Sequence, residues 1–241
     1  MTRLRRTAVA AGVFFLITEV AAIAARVLRT PAVQDTDYVL GAGADSSIFL
    51  ATLFEVILVF AIVGTAATLY PVVKKQSESI ALGYVLVRLL EAVAIVVGIV
   101  SVLAIVSLRQ AGAGTADTAA LLPVNEALVA IHDWTFLVGP GWFLGMNSLL
   151  LAYLMYRSGL VPRFIAMLGM IGGPLIFVSG IAVMYGAYGQ TSTVGLVAAL
   201  PVFAWEVSFA LWLIFKGFKT PTPASDNVQR LTADDPALSP A

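Results

Sequence analysis

The sequence predicts an all-α, polytopic membrane protein: a bundle of six transmembrane helices with both termini in the cytoplasm. Three observations carry this. Of the 241 residues, 60% are hydrophobic and 12% are charged, with a mean hydropathy of +0.95. A soluble domain of this length cannot bury that much apolar surface, whereas lipid solvates it directly. Six stretches reach the ~20 apolar residues a helix needs to cross a bilayer, and Lys and Arg concentrate on alternate connections.

The first span, Thr7–Leu28, follows Arg3, Arg5 and Arg6. Residues Met1–Arg26 share the basic start and apolar run of a signal peptide, but Glu19 inside the run and the run's length favour a retained helix. The second, Ser47–Val73, is followed by Lys74 and Lys75. The third is Ile80–Leu108. The fourth, Ala127–Tyr156, is preceded by Pro123 and by Asn125 as its N-cap, and Gly139-Pro140-Gly141 interrupts it. Gly141 and Gly145 in the same span have the small-xxx-small spacing of close helix packing. The fifth, Phe164–Tyr185, contains Gly169, Gly172, Gly173 and Pro174; the sixth, Val194–Phe215, is kinked at Pro201. All six are helical because a bilayer offers backbone amides no other partner.

With six alternating spans, Arg3, Arg5, Arg6, Lys74, Lys75, Arg157, Arg163, Lys216, Lys219 and Arg230 share one side, which the positive-inside rule makes cytoplasmic. Arg26, Arg29 and Arg109 lie on the other side with Asp35, Asp37, Asp45 and Asp117, in or beside the external loops Pro31–Ser46 and Gln110–Asn125. Residues 1–219 form the transmembrane domain. Residues 220–241, with Pro221, Pro223, Pro236 and Pro240, read as a disordered cytoplasmic tail. The zero net charge implies no nucleic-acid partner. The absence of cysteine excludes thiol chemistry, and a single histidine, His132, leaves no histidine-based metal or haem site. No cofactor, metal or catalytic residue is expected. The expected partners are the lipid bilayer and an unidentified small molecule or ion.

Candidate function rests on charges inside the spans. Glu19, Glu55, Glu91 and Glu206 sit on four different helices, roughly 14–18 Å from the cytoplasmic edge at ~1.5 Å per residue, which brings them near one plane. Each costs ~2.5–3.5 kcal/mol to insert, against ~0.3–0.6 returned per Leu, Ile, Phe or Val. Insertion is therefore affordable, and facing lipid afterwards is not, so these side chains should point into the bundle. Arg88, three residues before Glu91, shares its helix face and offsets one carboxylate of four. His132 and Asp133, with Trp134, mark an external mouth; adjacent helical residues diverge by about 100°, so no His132–Asp133 pair is expected. The ligand-binding or proton-relay candidates are thus Glu19, Glu55, Arg88, Glu91, Glu206, His132 and Asp133. They support three readings: a small transporter or ligand-binding bundle, a non-catalytic accessory protein with a structural Glu/Arg network, and an intramembrane lipid-modifying enzyme. The third lacks any recognisable catalytic motif.

Several segments also carry a resemblance. They are Ile131-His132-Asp133-Trp134 through Gly139-Pro140-Gly141 to Asn147, Tyr153 and Tyr156-Arg157-Ser158; Val161-Pro162-Arg163; Leu69-Tyr70-Pro71; Ala81-Leu82-Gly83-Tyr84 with Arg88 and Glu91; and Trp205-Glu206 with Lys216-Gly217-Phe218. Together, over roughly Thr7–Phe218, they resemble a bacterial membrane-protein family named only as domain of unknown function 4386. The resemblance implies a six-helix bacterial inner-membrane protein and supplies no activity.

Overall fold

A computed structural model describes residues 2–34, 38–41, 45–112 and 118–219. The tail expected at 220–241, and Asp35, Asp37 and Asp117, lie outside the described residues. Six helices are long and apolar enough to cross a membrane. They are α1 (Arg3–Gln34), α2 (Asp45–Val73), α3 (Glu78–Gly112), α4 (Leu122–Ser158), α5 (Arg163–Met184) and α6 (Thr193–Phe215). The described residues contain no strand. This is a multi-pass membrane protein.

Each helix packs on its sequence neighbours, and α6 closes back on α1, so the six form a ring in chain order. Both described chain ends, the α2–α3 turn and the α4–α5 turn lie at one end of the ring, here the terminal end; the other connections form the loop end. Apolar residues such as Val20, Phe60, Val100 and Val178 cover the outside, as lipid contact requires. A core of Phe15, Leu69, Tyr84, Leu151, Trp205 and Phe209 fills the terminal half.

Glycines set how closely the walls approach. A Cβ on Gly145 would lie 2.6 Å from the Gly173 carbonyl oxygen, and one on Gly173 would lie 2.6 Å from that of Gly145. Here α4 and α5 touch backbone to backbone, as small residues permit in membranes. The expected Gly141–Gly145 pair thus divides: Gly145 packs against α5, and Gly141 meets only Leu137.

At the terminal end Arg5 closes α6. It donates to the carbonyls of Leu213 at 3.0 Å, Ile214 at 2.5 Å and Phe215 at 3.1 Å, oxygens that a helix C-terminus leaves without intrahelical partners. We expect Arg5→Ala to destabilise the bundle by about 1–2 kcal/mol, the range of charge-assisted hydrogen bonds at a partly exposed site. Thermal melting in detergent measures this. Arg3→Ala, on the neighbouring exposed face, should be neutral.

At the loop end Asp45 is the tie point. Tyr38 donates to it at 2.9 Å, Gln110 donates at 2.9 Å, and Arg109 pairs with it while lying over the Tyr38 ring. Burial, then the Asp45 carboxylate, push the Tyr38 hydroxyl up to about 12, so this loop contact keeps its proton through the physiological range.

Three expectations are corrected. First, α1 continues past Leu28 and through Pro31 to Gln34; a proline removes one backbone bond and kinks a helix without having to end it when the surroundings hold the turn. Second, α4 begins at Leu122, so Asn125 is not its N-cap and lies buried within the first turn. Third, Gly139-Pro140-Gly141 does not break α4. Residues Leu137–Phe143 widen into a π-helical segment in which the Leu144 N–H reaches the Gly139 carbonyl five residues back. Pro140 has no N–H to give, and the wider turn absorbs the missing bond.

Candidate functional site

Arg88 stands at the centre of the ring and is 1% exposed. Its Nε donates to Thr65 Oγ1 on α2 at 3.2 Å. Its two terminal nitrogens reach Glu91 Oε2 on α3 at 2.8 Å and Glu206 Oε1 on α6 at 3.2 Å. The guanidinium lies 5.2 Å from the centre of the Phe15 ring on α1, an attractive cation–π placement. Asn147 on α4 donates to Glu91 Oε2 at 2.6 Å and to the Phe143 carbonyl at 2.8 Å. One arginine therefore joins helices that barely touch across the ring. A planar, five-donor guanidinium suits this task; an ammonium does not.

Glu19 completes this level. Its carboxyl faces that of Glu206, and both line a cavity of about 210 Å³ between α1, α4, α5 and α6. Glu206 is 6% exposed. Arg88 takes its Oε1, and the Glu206 carboxyl is hydrogen-bonded to that of Glu19. Leu144, Ile176, Val202 and Phe203 form much of the remaining wall.

Glu55 belongs elsewhere, which corrects the expectation of one four-glutamate layer. It pairs with Arg29 on α1, and Arg29 also lies 5.2 Å from the Phe136 ring centre. Glu55 is ten residues from Thr65 along α2 (65 − 55), roughly 15 Å of helix, so this pair lies nearer the loop end than Arg88. The sequence estimate failed because the span ends are uncertain, and because the first span was ended at Leu28, whereas α1 carries Arg29 and runs on to Gln34.

His132 is buried close to Glu55 and stacked on Phe136. Its Nδ1 lies 3.2 Å from Asp133 Oδ1, so these neighbours do meet, against expectation. The 100° divergence holds for Cβ directions, and the freely turning Asp133 carboxyl, which is largely exposed, spans the rest. Both residues line an outer pocket of about 360 Å³ with Arg26, Arg29 and Trp134. Arg26, Phe136, Leu137, Val183 and Gln190 line this pocket and the inner cavity alike. The two thus lie side by side, the outer one towards the loop end and the inner one at Glu19 and Glu206, with the π-helical segment of α4 supplying Leu137, Pro140 and Gly141 to the inner wall.

The sequence reading missed Arg29, Thr65 and the part played by Asn147. An amide or hydroxyl within an apolar span was the available signal for the last two, but such groups often satisfy themselves on their own helix. Which ones turn inward depends on packing.

The chain matches the family described as Domain of unknown function (DUF4386) over residues 10–217. It is 37% identical over 105 residues to an uncharacterized protein of Archaeoglobus fulgidus, a match that covers 39% of this chain and 57% of that protein; the chain thus spans little more than half the length of this relative. No solved structure matches the chain. Six membrane-crossing helices and a match that runs from within α1 to just beyond α6 place the chain in one family: it belongs to the membrane-protein family DUF4386.

Proposed function

We propose that this protein is a small-molecule binding bundle of the cell membrane, built for transport, with both termini cytoplasmic and the cleft opening to the outside of a bacterial inner membrane. The single observation that carries this reading is that Glu19 and Glu206 line a cavity that shares five wall residues with a pocket at the loop end. A purely structural network gains nothing from leaving carboxyls on a cavity wall, since buried charges are stable only when fully paired. Concave, mostly apolar sites with a few convergent polar groups are the usual form of ligand pockets. The sidedness rests on the terminal-end cluster of Arg3, Arg5, Arg6, Lys74, Lys75, Arg157, Arg163, Lys216 and Lys219.

Two parts of the polar core then divide the work. Arg88, Glu91, Asn147 and Thr65 are mutually bonded and act as scaffold. Glu206 is held by that scaffold and, with Glu19, meets the ligand. The outer Arg29–Glu55 pair and His132–Asp133 stand at the entrance.

The chain has no cysteine, so a single introduced thiol reports its surroundings without background. Ala199 lines the inner cavity, and the next residue, Leu200, is 59% exposed on the outside of the bundle. We expect Ala199→Cys in liposomes to react with a hydrophilic, membrane-impermeant maleimide at least tenfold faster than Leu200→Cys, because a thiol in lipid stays protonated and unreactive. Equal or slower labelling of Ala199→Cys means a dry cavity and removes the basis of the proposal.

A further inference from the structure

We propose that the ligand is an organic cation with an apolar body, bound head-down against the Glu19–Glu206 pair in exchange for a proton; this deepens the binding reading above and rests on it. At the Arg88 level three carboxyls, Glu19, Glu91 and Glu206, face one guanidinium, which leaves two negative charges unmatched when all are ionised (3 − 1). Glu91 takes both Arg88 and Asn147 on one oxygen, Oε2, and does not line the cavity. The unmatched charge that a ligand can reach is therefore on Glu19 and Glu206, the two carboxyls on the cavity wall.

The second observation is Glu206 itself. It is more than nine-tenths buried, it lines the cavity, and besides Arg88 at Oε1 it meets the Glu19 carboxyl. Two carboxyls in contact are bridged either by a proton or by a cation that replaces it. At this depth an anionic ligand meets carboxyls, because Arg88 is not on the cavity wall and points its nitrogens at Thr65, Glu91 and Glu206.

The walls specify the rest. Leu144, Ile176, Val202 and Phe203 offer no ligand to a bare metal ion, and among the described residues no three His, Cys, Asp or Glu gather in metal-holding geometry. They suit an alkyl or aryl body, which such walls remove from water. At about 210 Å³ the cavity fits a small aryl ammonium. Arg26, seven residues from Glu19 and so roughly 10 Å nearer the loop end, lines the inner cavity and the outer pocket alike, and Asp133 lines the outer pocket with it.

The groups facing the pair are Arg88, Glu91 and Tyr84 from α3, Thr65 from α2, Asn147 from α4, Ser179 from α5 and Arg26 from α1. The proton that bridges the Glu19–Glu206 contact leaves to water through the cleft when the cation enters. Charge at the site is conserved: one proton out for one monocation in.

The test uses the Ala199→Cys protein, with benzyltrimethylammonium as cation, benzenesulfonate as anion and benzyl alcohol as uncharged control. We expect benzyltrimethylammonium to slow maleimide labelling with a half-protecting concentration at least tenfold below that of either control. Adding Glu19→Gln should raise that concentration at least tenfold; Glu19 makes no ion pair in the scaffold, so the fold is retained, and melting checks this. Calorimetry in two buffers of different ionisation enthalpy should give close to one proton released per cation. Protection by benzenesulfonate, unchanged protection in Glu19→Gln, or binding without proton release overturns the inference. If Ala199→Cys labels quickly but benzyltrimethylammonium does not slow it, the cation inference fails and the binding cleft stands. If it does not label at all, the cleft itself fails.

Discussion

Arg88→Ala is expected to cost about 3–5 kcal/mol of stability, the range for removing one partner from a buried ion network. The loss exceeds that of the arginine's own contacts. Glu91 and Glu206 would remain buried without a cation, and Thr65 would lose its donor. Phe15 would also lose the guanidinium over its ring. The companion variant is more telling. Arg88→Met with Glu91→Leu and Glu206→Met replaces the charges by apolar volume and should recover most of the lost stability, because the desolvation cost of the ions disappears together with their attraction. Melting in detergent reads both proteins. On the reading advanced above, the triple variant folds and no longer binds benzyltrimethylammonium. If Arg88→Ala melts with the wild type, the hydrogen-bonded core at the centre of the ring is not what the geometry indicates.

Gly172→Ala is expected to destabilise by about 1–3 kcal/mol, the usual cost of overpacking. Its new Cβ would lie 2.5 Å from the Val202 backbone nitrogen and 2.8 Å from the Pro201 carbonyl carbon. Both are backbone atoms, so no side chain can yield, and α5 and α6 must move apart. Val202 also lines the inner cavity, so the same change should alter the labelling rate of Ala199→Cys. The control is Gly83→Ala, whose Cβ would meet only Leu150 Cδ1 at 3.6 Å. There the substitution removes the entropic cost of a mid-helix glycine, about 0.5–1 kcal/mol, and should be neutral or stabilising. Equal effects at the two positions would show that the α5–α6 contact is looser than the structure places it.

Glu19 and Arg29 illustrate how much was legible beforehand. Both are charged residues on α1. Glu19 was recognisable as an intramembrane group because uninterrupted apolar sequence surrounds it on both sides. Arg29 stands two residues before a proline, where a helix usually ends, and so reads as a loop residue. The chain continues helically to Gln34 because Arg29 is anchored by Glu55 and stacked on Phe136. Those partners come from α2 and α4, and no local pattern on α1 announces them. The same holds for Asn147, whose amide donates to Glu91 from the next helix, α4.

The sequence by itself determined the number of helices, their approximate ends, the membrane as solvent and the inward direction of the charges. These follow from local quantities: the length of apolar runs, the cost of a charge in lipid and the backbone's need for internal hydrogen bonds. The tertiary structure alone decided which carboxyl meets which cation. It separated Glu55 from the other three glutamates, made Arg88 the bridge between α3 and α6, and left Glu19 and Glu206 on a cavity wall. Such pairings depend on the rotation and axial offset of whole helices against one another. A shift of two or three residues in either, about 3–5 Å, exchanges one partner for another while leaving every local sequence pattern unchanged.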